Sequence, residues 1–369
     1  MRTLRTTAIA IAAASIAFST VTPAAAAPPS SEVVVAQAPE GEQLRFPDII
    51  KLQNGRLLAA FYEATSHVGP DGSILVAESS DKGRTWSSSR VAVDTIHDDR
   101  DPKLVQLEDG TVLLSFFETD WREQPATLRG THVVRSTDNG KSWSEPIKVE
   151  SAMDCGCGTP SGAYYTGLNA SHGAPVELEN GDLLIPLYGN LPNATRGDAT
   201  VVRSTDGGLT WPAAGESTIA AGTTFDFQEP VLTVLDDGEI VALIRTTTSP
   251  QIAYLSRSFD NGQTWTTAEP TEIPASSHHL LTLKSGAILL TYGDVSKRFS
   301  PYRATSGRII TDPHGSWDGY TDIQIYDAGN GDQANPSSAE IRPGRFLTLS
   351  FDVVNRTVVG IFTDKHDYR

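Results

Sequence analysis

The sequence predicts an all-β fold: a six-bladed β-propeller with four-stranded antiparallel blades, its ring closed by an N-terminal strand. Three observations predict it. One octapeptide recurs as SSDKGRTW (79–86), STDNGKSW (136–143), STDGGLTW (204–211) and SFDNGQTW (258–265), with a degraded fifth copy, ITDPHGSW (310–317). A second pattern recurs six times, as LQNGRLLAAF, LEDGTVLLSF, LENGDLLIPL, LDDGEIVALI, LKSGAILLTY and IRPGRFLTLS. The two patterns alternate, and the sixth octapeptide is missing.

The second pattern reads as a hairpin. Each copy is a strand end, a tight turn and an apolar return strand, with Gly55, Gly110, Gly181, Gly238, Gly286 and Gly344 in the turns. The octapeptide reads as another turn. Ser and Asp hydrogen-bond backbone amides, Gly takes a positive φ, and Trp packs beneath. Trp86, Trp143, Trp211, Trp265 and Trp317 are spaced by 57, 68, 54 and 52 residues. One unit is therefore strand A, glycine turn, strand B, loop, strand C, octapeptide turn, strand D, and such units stack into a ring. The sixth unit ends after strand C, RTVVGIF (356–362), and SEVVVAQ (31–37) is expected to supply its fourth strand. A turn cannot join two chain ends, which accounts for the missing octapeptide.

The segment before that strand has a different character. Arg2 and Arg5 precede AIAIAAASIAF and then TPAAAAPP, the pattern of a signal peptide over residues 1–26. The chain is thus expected to be secreted, with residues 31–369 forming one domain and no membrane span. The formal charge is −16, or about −18 without Arg2 and Arg5, which argues against nucleic acid as a partner. Cys155 and Cys157 sit in DCGCG, where a strained bridge, free thiols or a metal pair are all open readings.

The repeat also locates a site. Glycine turns and octapeptides share one face, so the starts of strands A and the ends of strands B share the other, near the axis. Counting back nine or ten residues from each turn glycine gives Arg45, Arg100 with Asp101, Ser171 with His172, Gln228 with Glu229, Ser276 with Ser277, and Ala334 with Asn335. Counting forward seven or eight gives Tyr62 with Glu63, Phe117 with Glu118, Tyr188, Arg245, Asp294 and Asp352. Charged groups converging on one mouth predict a functional pocket. The stretch 148–170, with Tyr164 and Tyr165, is expected to form a lid on this face. GDVSKRFSPYR (293–303), carrying Tyr302 and Arg303, is expected to form the opposite wall.

The octapeptide S-x-D-x-G-x-T-W is the Asp box, and the whole pattern resembles the bacterial sialidase superfamily over essentially all of residues 31–369. The resemblance implies that Arg45, Arg245 and Arg303 are substrate arginines, with Arg298 competing for the third place, and that Glu229 accompanies Arg245. Guanidinium groups from three segments would grip a carboxylate. The resemblance also implies an acidic Asp and a nucleophilic Tyr, and this sequence departs at both places. His67 stands at the acid position, and Asn335 and Pro336 stand where the Tyr is expected.

The combined reading is a secreted, monomeric, exo-acting glycoside hydrolase that removes a terminal acidic sugar, a sialic-like or uronic acid, from a glycan. His67, Glu229, Asp99, Asp101 and His172 are the candidate catalytic groups. Arg45, Arg100, Arg245, Arg303, Tyr62, Glu63, Tyr302 and Asn335 are the candidate substrate contacts. A uronate lyase with a His or Tyr base, or a carbohydrate-binding propeller without turnover, are the alternatives. No metal or organic cofactor is implied.

Overall fold

The structure, a computed structural model, describes residues 31–122, 126–155, 165–167 and 169–369. The segment 1–26, the side chains of Cys155 and Cys157, and residues 156–164 and 168 of the expected lid at 148–170 lie outside it. Among the described residues the regular structure is β-strand with two short 3₁₀ turns, Ala152–Cys155 and Ala213–Gly215, and no helix is long and apolar enough to cross a membrane.

Six sheets follow one another as blades I to VI. Their strands A are Gln43–Lys51, Asp98–Gln106, the broken Ala170–Ser171 and Val176–Glu177, Phe227–Val234, Ala275–Thr282 and Ser337–Arg342. These innermost strands contact one another around the axis. Each is followed outward by antiparallel strands B, C and D. Blade VI takes its outer strand from the other chain end: Glu32–Gln37 pairs antiparallel with Thr357–Asp364. In blade II, Tyr165–Gly167 adds a parallel strand beside Ala126–Ser136.

The Asp boxes fasten blade to blade. In the second, Asp138 accepts from the amides of Lys141 and Ser142 at 3.0 and 2.9 Å, and from the hydroxyls of Ser142 and Ser136 at 2.6 and 2.8 Å. Those bonds hold its carboxyl below the usual carboxylate range. Gly140 has a φ of 81°, and a Cβ there would meet Leu58 of the preceding blade at 2.7 Å. Only glycine satisfies both the turn and that close approach. The boxes lie on the glycine-turn face and therefore act as scaffold. Asp138→Ala should lower stability by about 1–2 kcal/mol through lost turn bonds, read by thermal unfolding, with catalytic parameters unchanged.

Strand A also carries a repeated irregularity. Nine residues before the turn glycine, Phe46, Asp101, Glu229, Ser277 and Asn335 have φ of 50, 53, 49, 44 and 53°. Pro47, Pro102, Pro230 and Pro336 follow four of them. The ladder shifts register there, as between Arg45 and Asp48 and between Gln228 and Val231. Such left-handed non-glycine residues are strained, and bulges of this kind re-aim side chains at sites. Five blades thus spend backbone strain at the same mouth.

Candidate active site

The mouth is built from side chains that these bulges and the adjoining loops deliver. Glu229 anchors its centre. It pairs with Arg245 Nη1 at 2.5 Å and accepts from the amide and hydroxyl of Ser277 at 3.1 and 3.0 Å. Burial opposes ionisation, but Arg245, foremost among its cationic and hydrogen-bonding neighbours, outweighs it and lowers the carboxyl to about 2.

Arg303 is the most informative cation. Its Nε and Nη2 donate to the Gln333 carbonyl at 3.0 and 2.5 Å, its Nη2 to Asn335 Oδ1 at 3.2 Å, and its Nη1 to Ser276 Oγ at 3.3 Å. All of these acceptors are neutral. Among the described residues no carboxylate forms an ion pair with it. Burial, then the neighbouring Arg245, pushes the guanidinium down to about 10, while Glu229, Asp332 and Asp101 pull the other way. Arg298, by contrast, pairs with Asp294 and Asp322 at 3.1 and 2.9 Å and belongs to the wall.

Arg45 is buried and engaged. Its Nε donates to Asp332 Oδ2 at 3.1 Å and its Nη2 to Gln43. Asp332 Oδ1 in turn accepts from His67 Nδ1 at 2.9 Å. His67 is half exposed and stands edge-on to Phe46 at 5.3 Å. Asp101 is buried, with no hydrogen-bond partner on Oδ1. Burial raises its carboxyl to about 6, with Arg100 opposing the rise and Glu229 adding to it.

Arg100 lies beneath. Its guanidinium sits 5.6, 5.4 and 5.9 Å from the ring centres of Phe46, Tyr62 and Phe117, and its Nη1 is 3.3 Å from Asp98. Asp98, fully buried, also accepts from Tyr62 Oη at 2.8 Å and Trp121 Nε1 at 2.6 Å. Gly72 leaves room for this cluster, since a Cβ there would overlap Asp98 and Tyr62. Gly72→Ala should therefore destabilise by about 2–3 kcal/mol and disturb Arg100, measurable as a lowered Tm together with reduced turnover.

Several expectations are corrected by these placements. Asp99 accepts from the Thr95 amide and hydroxyl at 2.7 and 2.8 Å, so it caps a turn; its neighbour Asp98 faces the cluster. Glu63 lies on the opposite side of its strand from Tyr62. It lines an outer groove with Gln37 and Trp86, where burial and then Glu42 raise its carboxyl. Tyr62 is completely buried and supports Asp98 and Arg100 from below, so it is no direct contact. His172 lies deeper, with His278 and Lys103, in a cavity of about 310 Å³ between the inner strands. Its Nε2 is 3.3 Å from the His278 carbonyl, and burial lowers its pKa to about 3, which favours the neutral ring. Asn335 positions Arg303, and Tyr302 is exposed beside it.

Asp332, Gln333, Asp98 and Trp121 were not singled out from sequence, whereas Ser277 was one of the positions counted back from the turn glycines. Asp332 and Gln333 lie in GNGDQAN, a glycine-rich stretch that reads as a turn. The one available signal was their nearness to Asn335 in a repeat position.

Residues 55–318 match the family described as BNR repeat-like domain. A sialidase from Paraclostridium sordellii is 25% identical over 247 residues, 62% of this chain; the match spans 58% of the length of that relative. A protein of unknown function from Dyadobacter fermentans superposes with a TM-score of 0.79 at 24% identity, covering 91% of this chain and 98% of the other. The leech intramolecular trans-sialidase, solved with 2,7-anhydro-Neu5Ac, superposes with a TM-score of 0.68 at 13% identity, covering 91% and 69%. At these identities the solved structures establish a shared fold. Together with the Asp boxes and the six-bladed ring, the match places the chain in the BNR repeat-like family, within the sialidase superfamily.

Proposed function

We infer that the protein is an exported, monomeric glycoside hydrolase that removes a terminal acidic sugar from a glycan. One observation carries this reading: Arg303 is a part-buried guanidinium whose hydrogen-bond acceptors among the described residues are all neutral oxygens, next to Arg245. A desolvated cation without a direct ion pair is costly, and an anionic ligand would supply that partner. A carboxylate suits two adjacent guanidinium forks. Arg45, already paired with Asp332, serves the site from its edge.

The roles follow from depth. His67 stands half exposed at the rim, where the aglycone of an exo-substrate leaves, and donates the proton to the departing oxygen. Asp101 lies buried beside the sugar and, ionised above about pH 6, takes a proton from the attacking water. Glu229, kept ionised by Arg245, stabilises the positive charge developing on the ring. Water thus takes the place of the nucleophilic Tyr that the resemblance led one to expect near Asn335.

The test is a screen of sialyl and glucuronyl aryl glycosides and acidic polysaccharides. Release of a reducing acidic sugar with oxygen from labelled water supports the reading. An ultraviolet-absorbing unsaturated product would replace it with elimination. Saturable glycan affinity without any product would replace it with binding alone.

A further inference from the structure

We propose that Asp332 is the positioning residue of the proton-handling histidine, forming with His67 an Asp–His dyad that closes across the seam of the ring. This deepens the hydrolase reading and rests on it for the role of His67.

The dyad joins two blades. His67 lies in the loop after Leu57–Ala64 of blade I, whereas Asp332 precedes Ser337–Arg342 of blade VI. One carboxylate oxygen meets His67 Nδ1 at 2.9 Å and the other meets Arg45 Nε at 3.1 Å. Arg45 therefore fixes the carboxylate plane, and the second oxygen can point only toward the imidazole. A carboxylate oxygen accepts, so Nδ1 must carry a proton and donate it. That leaves Nε2 as the atom presented at the rim. Phe46, edge-on at 5.3 Å, limits rotation of the ring. Burial opposes ionisation of Asp332, yet His67 and Arg45 hold its carboxyl below the usual range, so it stays an acceptor where the enzyme would work.

Asp332 is itself held rigidly. Its amide donates to Asn330 Oδ1 at 2.9 Å. The next residue, Gln333, is completely buried; its side chain accepts from the Ala328 amide at 2.5 Å and donates to Asp327 and the Asn330 carbonyl at 2.8 and 2.7 Å. The Gln333 carbonyl and Asn335 Oδ1 are in turn acceptors of Arg303. Three residues within 332–335, Asp332, Gln333 and Asn335, thus orient Arg45, His67 and Arg303. Preorganised support of this kind fixes the tautomer and direction of a catalytic imidazole.

The test has two arms. In the first, ¹⁵N spectra of the whole secreted chain, with His67 assigned through His67→Gln, read the tautomer without any substrate. Wild-type protein should show His67 protonated at Nδ1 in its neutral form, and Asp332→Asn should weaken that preference. In the second arm, Asp332→Asn should lower kcat about 10- to 100-fold with KM nearly unchanged. Asp332→Glu should recover part of the loss. In a His67→Gln background Asp332→Asn should cost nothing more, because the two act as a unit. A neutral His67 protonated at Nε2 instead of Nδ1 in the wild type, or an unchanged tautomer in Asp332→Asn, overturns the dyad. So does a full additional loss in the double variant, which would mean Asp332 works only through Arg45. If the tautomer result holds while no acidic glycoside is turned over, the hydrolase reading fails and the dyad stands.

Discussion

Arg303→Met should lower kcat/KM toward acidic aryl glycosides by about 100- to 1000-fold, the loss expected when one side of a buried charged contact is removed. The fold should survive, for a physical reason. Arg303 is part-buried and forms no ion pair with a carboxylate among the described residues, so replacing it with an apolar chain of similar length removes a desolvated charge along with its hydrogen bonds. Thermal unfolding should therefore show a Tm close to that of the wild type. The effect should depend on the ligand's charge: a neutral aryl glycoside, however poorly used, should lose far less. Arg298→Met is the matched comparison. Its partners Asp294 and Asp322 are local, so it should alter stability modestly and leave KM for the acidic substrate in place. Equal losses with charged and neutral substrates would rule out an anion pocket at Arg303.

Asp101→Asn should separate activity from stability. Its folded carboxyl titrates at about 6 against an ordinary 3.8 because it is buried. Between these values the folded protein binds the proton more tightly than the unfolded chain does. The contribution of this group to stability is thus full below about pH 4 and lost as pH rises through about 6, a swing on the order of 3 kcal/mol. Asparagine carries no charge at any of these pH values. The variant should accordingly gain stability over the wild type at pH 8 and little at pH 4, read as a pH-dependent difference in Tm. Turnover should move the other way. Loss of the base should reduce kcat about 100-fold or more, and the fall in rate below about pH 6 should disappear. Asp99, which burial raises to about 7, titrates in both proteins and cancels from the comparison. A variant with wild-type kcat, or an equal Tm difference at both pH values, would remove Asp101 from the mechanism. The arrangement has a familiar logic, in which strain and an unfavourable buried charge are tolerated at a site and compensated by the scaffold.

The compensation is visible in the repeats. Asp boxes, turn glycines and blade-to-blade leucine contacts hold one face, while five blades carry left-handed residues at the start of strand A on the other. That division was legible before any coordinates. Alternating turn patterns gave the blade count, and the distance from each turn glycine picked out Asp101, Glu229 and Asn335 as occupants of the mouth. The unpaired sixth unit announced the closing role of Glu32–Gln37.

Roles were less legible than positions. Asp98 and Asp99 are equally acidic neighbours, and only the direction of each side chain sends one to the Arg100 cluster and the other to Thr95. Tyr62 and Glu63 divide in the same way across the pleat. Three arginines looked equivalent, yet Arg45 pairs with Asp332 and Arg245 with Glu229, so of the three Arg303 alone makes no ion pair among the described residues. Periodicity is a local property: hydrogen-bonded turns and alternating strands repeat whatever lies across the ring, so they can be read along the chain. Which carboxylate faces which cation is settled between residues as far apart as Arg45 and Asp332, by ring closure and by the desolvation that closure imposes.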